Sequence, residues 1–193
     1  TPTQLRERII VNLRGLFLGG TTYASFPQTD YPVVFQGESL VSGNPQTEVR
    51  YVAGQSQFGL RFEPGANIIL RRLMFSGFQV GFNGYGALMK GLGKFYVEDC
   101  VATKCDIGFA AVKNVDFSFI RCNAYSNNSD GFRVQYSSSG AWQYCTARNN
   151  GGDGFFATRN SVAHLDYCTS EGNVTGLHID MAARVACIQN DFK

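Results

Sequence analysis

The chain has 193 residues, of which 44% are hydrophobic and 17% are charged, with 22 glycines and 16 phenylalanines. This size and aromatic content indicate one folded domain and exclude a disordered chain. The net charge of +2, without a long basic run, argues against a nucleic-acid partner. No apolar stretch reaches the roughly 20 residues of a membrane span, so none is expected.

Residues 1–99 read as short strands separated by long loops. Short segments rich in apolar residues predict strands at 9–13, 33–35, 49–51 and 59–62. Loops are expected near 19–32, 37–47 and 83–94. Loops of this kind rise from the walls of a fold and shape binding grooves.

Residues 100–193 carry an internal repeat with two markers. Cysteines recur at intervals of 22, 23 and 23 residues, at Cys100, Cys122, Cys145 and Cys168. A glycine followed by an apolar residue recurs in the same register, at Gly108, Gly131, Gly154 and Gly176. Two markers in one register predict stacked coils of about 22–23 residues, each with three short strands and three turns, which is the unit of a parallel β-helix.

In a β-helix each position stacks on its equivalent one coil away, about 4.8 Å along the axis. The cysteines are therefore interpreted as a reduced, inward-facing stack, with disulfides between adjacent coils as the alternative. A second ladder is expected at a turn, where hydrogen bonds between stacked amides would run along the axis. Its members are Cys105, Asn127, Asn150 and Asn173.

The phrase Asn-x-x-Asp-Gly-Phe occurs at 127–132, and 150–155 repeats it. Together with the coil length and the asparagine ladder, it resembles the right-handed parallel β-helix of the pectate-lyase-like superfamily, and most of all the β-helix domains of bacteriophage tailspikes and tail fibres. The resemblance implies an all-β, right-handed, single-stranded parallel β-helix in one domain over 1–193, with irregular coils and long loops over 1–99 and regular coils over 100–193. Neither end shows a cap helix, which predicts a segment of a longer chain.

The resemblance implies a homotrimer on the virion tail that recognises bacterial surface polysaccharide. Whether such a domain also cleaves the polysaccharide, as a hydrolase or a lyase, is left open by the sequence. One alternative is a secreted, monomeric pectate-lyase-like enzyme acting on uronate polymers, and another is a non-catalytic structural or adhesin rod. No cofactor or metal site is expected, except that the lyase alternative would require Ca²⁺.

Few acidic residues in the regular coils are candidates for catalysis. His164 and Asp166 project from one face of a predicted strand as an acid/base pair, and Asp180 is a further candidate acid on another strand. The alternative for each is an ordinary exposed surface pair. Asp130 and Asp153 are equivalents one coil apart that would either share a cation or a proton, or cap turn backbone groups; the capping interpretation is favoured.

The outward stripe of the glycine-apolar strand is predicted to bind sugar. Phe156 lies there between Arg133 and His178, an arrangement that suits a sugar ring stacked on an aromatic face and surrounded by hydrogen-bond donors. Tyr144 and Tyr167 are expected to stack on the next wall, also as sugar contacts. Packing against another subunit is the alternative for these aromatic residues. The two rows of the stripe are Ala110, Arg133, Phe156, His178 and Val112, Gln135, Thr158, Asp180.

Overall fold

A computed structural model describes residues 9–18, 21–23, 32–53, 57–62, 64–79 and 84–193. The chain winds as a right-handed parallel β-helix in which successive strands enter three different sheets in turn. Strands of one sheet belong to successive coils and pair in parallel. The predicted fold class is confirmed. The described part of the chain contains no helix, and so none that is long and apolar enough to cross a membrane.

The three sheets contain eight, eight and seven strands. Sheet 1 consists of β1 (Ile9–Asn12), β4 (Val33–Gln36), β7 (Asn67–Arg71), β10 (Gly93–Glu98), β13 (Val115–Ile120), β16 (Ser139–Gln143), β19 (Val162–Asp166) and β22 (Arg184–Ile188). Sheet 2 consists of β2 (Leu16–Leu18), β5 (Thr47–Arg50), β8 (Leu73–Ser76), β11 (Val101–Thr103), β14 (Asn123–Tyr125), β17 (Thr146–Arg148), β20 (Thr169–Glu171) and β23 (Asp191–Phe192). Sheet 3 consists of β3 (Thr21–Tyr23), β6 (Phe58–Phe62), β9 (Tyr85–Lys90), β12 (Ile107–Val112), β15 (Phe132–Gln135), β18 (Asp153–Ala157) and β21 (Thr175–Ile179).

The core is a set of side-chain stacks along the axis. The rings of Phe109 and Phe132 lie 5.4 Å apart between centroids, and those of Phe132 and Phe155 lie 5.0 Å apart and nearly parallel. These distances match the separation of adjacent coils, so each ring covers the one before it. The predicted cysteine stack is also confirmed: Cys100, Cys122, Cys145 and Cys168 are buried, and all six cysteines are free.

The asparagine ladder is confirmed at the corner between sheets 2 and 3. Asn127 and Asn150 are buried there, and their side-chain amides donate to the carbonyl oxygens of Ala102 at 3.4 Å and Ala124 at 3.2 Å. The ladder begins at Cys105, whose backbone N–H donates to Oδ1 of Asn127 at 3.0 Å. Polar turn groups that would otherwise be buried without partners are paired in this way.

The glycine of the repeat is required by a close approach between coils. A Cβ on Gly131 would lie 2.8 Å from the carbonyl oxygen of Gly154, and one on Gly108 would lie 2.5 Å from that of Gly131. A side chain at either position would force neighbouring coils apart. The recurring glycines therefore allow the strands of sheet 3 to begin at the same distance between coils as in the other two sheets.

From the third coil onward, each corner between sheets 1 and 2 contains one residue in the left-handed conformation, with φ near 50°. This conformation is costly for residues other than glycine. Except at Gln189, on the last described coil, the backbone N–H of this residue bonds to the next coil, as Tyr144 does to the carbonyl of Asp166 at 3.0 Å, and this bond offsets part of the cost. We call this set the corner row: Arg72, Asp99, Arg121, Tyr144, Tyr167 and Gln189.

Several predicted elements differ in the structure. The predicted strand at 49–51 is β5, which begins at Thr47 and ends at Arg50. The segment 67–73 contains all of β7 (Asn67–Arg71), the corner residue Arg72 and Leu73, the first residue of β8. The loop predicted over 83–94 was wrong, because β9 (Tyr85–Lys90) lies there. Its outward residue Leu88 is buried, so the strand lacks the polar alternation that identifies a half-exposed strand. Much of the loop predicted over 19–32 lies outside the described residues.

Candidate functional site

The outer face of sheet 3 carries the first row of the predicted stripe in register. The second row holds only for Val112 and Gln135, because β18 ends at Ala157 and Thr158 beyond it is buried. Ala110 pairs with Arg133, Arg133 with Phe156, and Phe156 with His178, each one coil apart. Ala110 is buried, Arg133 and Phe156 are half-buried, and His178 is exposed. The structure therefore brings three of the predicted sugar-binding residues together in one row.

Arg133 is fixed by partners from its own coil and its neighbours. Its Nε donates to Oδ2 of Asp130 at 2.6 Å, and a terminal nitrogen donates to the hydroxyl of Ser129 at 3.2 Å. The guanidinium also donates a hydrogen bond to the hydroxyl oxygen of Tyr85. Burial raises the pKa of Tyr85, and the charge and hydrogen bond of Arg133 oppose part of that rise. The guanidinium is held over the ring of Phe156, with its central carbon 5.4 Å from the ring centroid.

His178 contacts Phe156 from the opposite side. The two ring centroids lie 4.8 Å apart, and Nδ1 of His178 lies 2.9 Å from Oδ2 of Asp153. Phe156 is thus enclosed in its row by a guanidinium on one coil and an imidazole on the next. The row presents an aromatic surface between two nitrogen-bearing side chains.

Asp130 and Asp153 do not form an open carboxylate pair. Asp130 is buried; its Oδ1 accepts the backbone N–H of Asp153 at 3.2 Å and the hydroxyl of Ser129 at 3.1 Å, while its Oδ2 binds Arg133. Because Asp153 contacts His178, both carboxylates have protein partners. The capping interpretation of Asp130 is therefore confirmed. The part of the chain that the structure describes holds no group of three or more His, Cys, Asp or Glu side chains placed to bind a metal ion.

A groove of about 200 Å³ continues the row toward the first coils. Arg61, Leu88, Ala110 and Arg133 occupy successive places in one register across sheet 3, so the groove and the stripe share a surface. We call this surface the sheet 3 groove. The groove is lined by Gln57, Phe58, Arg61, Tyr85, Leu88, Lys90, Val112 and Gln135, and the stripe adds Arg133, Phe156 and His178.

In the first coils, the sheet 3 groove is lined by aromatic rings that lie over a small apolar cluster. Phe58 and Tyr85 stack with centroids 5.8 Å apart, and the guanidinium carbon of Arg61 lies 4.8 Å from the Phe58 centroid. Beneath them is a small apolar cluster outside the main core, formed by Leu88, Ile107, Ala110 and Val112. The sequence does not predict a role for Phe58, Arg61, Tyr85 and Lys90, because the first half of the chain lacks the regular spacing that aligns the later coils.

The three predicted catalytic residues are not brought together. His164 and Asp166 lie on the outer face of sheet 1, on β19, whereas Asp180 follows β21 of sheet 3 and accepts the backbone N–H of Met181 at 2.7 Å. Oδ2 of Asp166 lies 3.5 Å from the amide of Gln143, and its Oδ1 is buried without a hydrogen-bond partner among the described residues. Their catalytic roles remain predictions.

Sheet 1 has a shallow groove of its own, of about 310 Å³, lined in part by Ile69, Tyr96 and Ser118. The row through Tyr96 and Ser118 continues over Ala141 to His164. His164 therefore extends the surface of this groove, which lies on a different wall of the β-helix from the sheet 3 groove.

Tyr144 and Tyr167 lie in the corner row and not on a wall of the helix. Their rings are stacked, with centroids 5.1 Å apart and an interplanar angle of 9°. They are 57% and 47% exposed, which makes this pair a separate aromatic surface. Arg121, one coil earlier, has its Nε 2.7 Å from Oδ1 of Asp99. The predicted stacking of the two rings is confirmed, and their predicted position on a wall was wrong because the left-handed residue forms the corner itself.

Comparison with known proteins agrees with this architecture. A search of curated proteins found no match to the sequence. A family model described as a right handed beta helix region matches residues 40–192, which is most of the chain and includes the sheet 3 groove. The chain therefore belongs to the right-handed β-helix family.

Proposed function

We propose that this β-helix binds a bacterial surface polysaccharide along the sheet 3 groove, as a tailspike-like recognition domain. The observation that carries the proposal is the position of Phe156 between Arg133 and His178, on the same outer face of sheet 3 as the stacked rings of Phe58 and Tyr85. Aromatic rings at two places along one sheet face suit an extended chain of sugar rings better than a compact ligand.

The chemistry of the sheet 3 groove favours a sugar chain. The apolar face of a pyranose ring packs against an aromatic ring, and its hydroxyls accept or donate hydrogen bonds at the rim. Phe156 supplies the aromatic face, while Arg133 and Gln135 supply donors beside it. Gln57 and Lys90 supply further donors toward the first coils.

We propose binding without cleavage at this groove. General acid/base cleavage of a glycosidic bond requires carboxyl groups free to exchange protons with the substrate. Asp130 is buried against Arg133, and Asp153 bonds His178, so the two carboxylates serve to orient the cationic and aromatic side chains. A hydrolase or lyase acting through His164 and Asp166 would instead place the polysaccharide on sheet 1.

The test is binding of the protein to a panel of capsular polysaccharides and lipopolysaccharides, measured by biolayer interferometry. For any polysaccharide that binds, Phe156→Ala should weaken affinity about tenfold, which corresponds to roughly 1.4 kcal/mol of lost stacking. Tyr125→Ala is the control, because Tyr125 is an exposed aromatic residue on sheet 2. Unchanged affinity in Phe156→Ala would overturn the proposal. Release of oligosaccharides during the assay would show cleavage, and sheet 1, which carries His164 and Asp166, would then be the candidate catalytic surface.

The tailspike-like proposal includes a homotrimer on a virion tail. We assign the Tyr144–Tyr167 pair to the subunit contact, since two stacked rings about half exposed are typical of an interface. Light scattering over a concentration series should give a trimer that the double variant Tyr144→Ser, Tyr167→Ser converts to monomers. A stable monomer in the unaltered protein, or a trimer indifferent to the double variant, would contradict this assignment.

A further inference from the structure

A larger cavity lies away from the sheet 3 groove, at the corner between sheets 1 and 2 in the first coils. Its volume is about 650 Å³, within the range of small-ligand sites. We call it the corner cavity. It is lined by Asn12, Leu13, Arg14, Gln36, Gly37, Glu38, Ser39, Val41, Gln46 and Arg72.

The loop between β4 and β5 forms one wall of the corner cavity and is held in place by hydrogen bonds. The backbone N–H of Glu38 donates to the hydroxyl of Thr47 at 3.0 Å, and that hydroxyl donates to the carbonyl of Leu13 at 3.2 Å. Val41 and Asn44 exchange backbone hydrogen bonds at 3.0 Å across a tight turn. These hydrogen bonds fix the conformation of the wall, so the cavity is formed before any ligand binds.

Arg72 lies at the cavity with an unpaired polar atom. It belongs to the corner row, and its backbone N–H is fixed to the carbonyl of Glu98 at 3.1 Å. Its side-chain Nε is buried and has no hydrogen-bond partner within the described part of the chain. Arg72 forms no ion pair among the described residues, so an anion in the corner cavity would be stabilised by the charge of its guanidinium.

The other polar groups of the corner cavity favour an anion that also carries hydroxyls. Arg14 supplies a second guanidinium, and the amides of Asn12 and Gln36 lie 3.4 Å apart on adjacent coils. Glu38 is the one acidic side chain in the lining, and its Oε2 accepts the backbone N–H of Gly15 at 3.2 Å. Two guanidiniums against one engaged carboxylate leave a net positive site, and guanidinium pairs with carboxylate or phosphate oxygens.

We propose that the corner cavity binds an anionic sugar, in which a carboxylate or phosphate contacts Arg72 and Arg14 and the hydroxyls contact the amides of Asn12, Gln36 and Gln46. The site is independent of the sheet 3 groove, because the two share no residue. A single acidic sugar unit fits it, whereas the sheet 3 groove suits an extended chain.

The test uses three probes that share one sugar frame: glucuronate, glucose 6-phosphate and glucose. Titration of the full chain by isothermal calorimetry should show at least one of the two anions binding ten times or more tightly than glucose. Binding of only the carboxylate or only the phosphate would support the proposal and identify the anionic group. Equal binding of glucose, or no binding of either anion, would overturn it.

Two variants locate the site. Arg72→Asn keeps a residue that tolerates the left-handed conformation and removes the guanidinium, and it should weaken anion binding at least tenfold. Arg121→Asn is the matched control, since Arg121 has the same conformation in the corner row but lies outside the cavity. Arg14→Ala, at an exposed position, should weaken binding several-fold with an unchanged melting temperature, which separates loss of a contact from loss of folding. Equal losses in Arg72→Asn and Arg121→Asn would overturn the proposal.

Discussion

The side-chain amide of Asn127 donates a hydrogen bond to Oδ1 of Asn150, one coil further along the axis, at 2.9 Å. The same oxygen accepts the backbone N–H of Asn127 at 3.1 Å. Asn150 repeats both bonds with Asn173, at 2.8 Å and 2.9 Å. Asparagine side chains therefore accept hydrogen bonds from the turn backbone of three successive coils. These bonds fix the distance between coils just before the strands of sheet 3 begin.

Removal of one asparagine side chain from this ladder should lower the free energy of unfolding substantially. Asn150→Ala would leave the amide and backbone N–H of Asn127 without their acceptor in a buried site, so we expect the free energy of unfolding to fall by about 3 kcal/mol. Urea unfolding followed by circular dichroism measures the change. The control Asn123→Ala, at a half-exposed outward position on β14, should change it by less than about 0.5 kcal/mol. Equal effects of the two substitutions would show that the ladder does not stabilise the coils.

The phenylalanine stack should be equally sensitive to truncation. Phe132 is fully buried and contacts the rings of Phe109 and Phe155 on either side. Phe132→Ala removes both contacts and leaves a cavity, so the free energy of unfolding should fall by about 3–5 kcal/mol. Phe132→Leu, which keeps most of the volume, should cost less than half as much. A loss below about 1 kcal/mol for Phe132→Ala would contradict the stacked core.

The six cysteines should divide into one reactive thiol and five protected ones. Cys187 is exposed, while the other five are buried. Burial raises the pKa of Cys105 to about 12 and raises the pKa values of Cys100 and Cys145 well above their ordinary value. A disulfide exchange reagent should therefore label one thiol quickly in the native protein and the rest only after unfolding.

The rate of that first labelling should rise with pH. Partial burial raises the pKa of Cys187, so the reactive thiolate increases as the solution becomes more alkaline. Cys187→Ser should abolish the fast phase and leave the slow phase unchanged. Rapid labelling of several thiols in the native state would contradict the buried cysteine stack.

Glu48 should contribute to stability in a pH-dependent way. Partial burial opposes its ionisation, but hydrogen bonds from Arg50 and Ser76 and the charge of Arg50 outweigh this effect and lower its pKa below 4.5. A carboxyl whose pKa falls on folding stabilises the native state above its unfolded pKa, and that contribution is lost as the pH falls toward the folded pKa. The stability gap between the native protein and Glu48→Gln should therefore be full at neutral pH and shrink below about pH 4.5.

Denaturant unfolding across a pH series measures this gap. Glu171→Gln is the control, because Glu171 and Arg148 form a pair in which both side chains are about half exposed, 55% for Arg148 and 49% for Glu171. That exposed pair should contribute little at any pH. A gap for Glu48→Gln that stays constant into the acid range would contradict the lowered pKa.

The regular coils were predictable because a β-helix places equivalent residues in contact. The spacing of Cys122 and Cys145 gave the coil length, and the register of Arg133 and Phe156 followed from it. The strand β9 was not predictable in the same way. Its outward residue Leu88 packs under Phe58 and Tyr85, so burial on both faces removes the alternating pattern.

The candidate site was predictable only in its second half. Arg133, Phe156 and His178 belong to regular coils, where counting residues aligns them. Phe58 and Arg61 join them through strand pairing in the irregular coils, where no sequence marker gives the register. The corner position of Tyr144 was also hidden, because only the backbone shows that this residue adopts the left-handed conformation.

A crystal structure with a bound oligosaccharide, prepared from a polysaccharide that the protein retains, tests the proposed function most directly. The proposal predicts a sugar ring packed on Phe156, with hydroxyls within hydrogen-bond distance of Arg133 or Gln135 and the chain extending toward Phe58. A sugar bound over Tyr96 on sheet 1 or on the Tyr144–Tyr167 pair, with the sheet 3 groove empty, would contradict it.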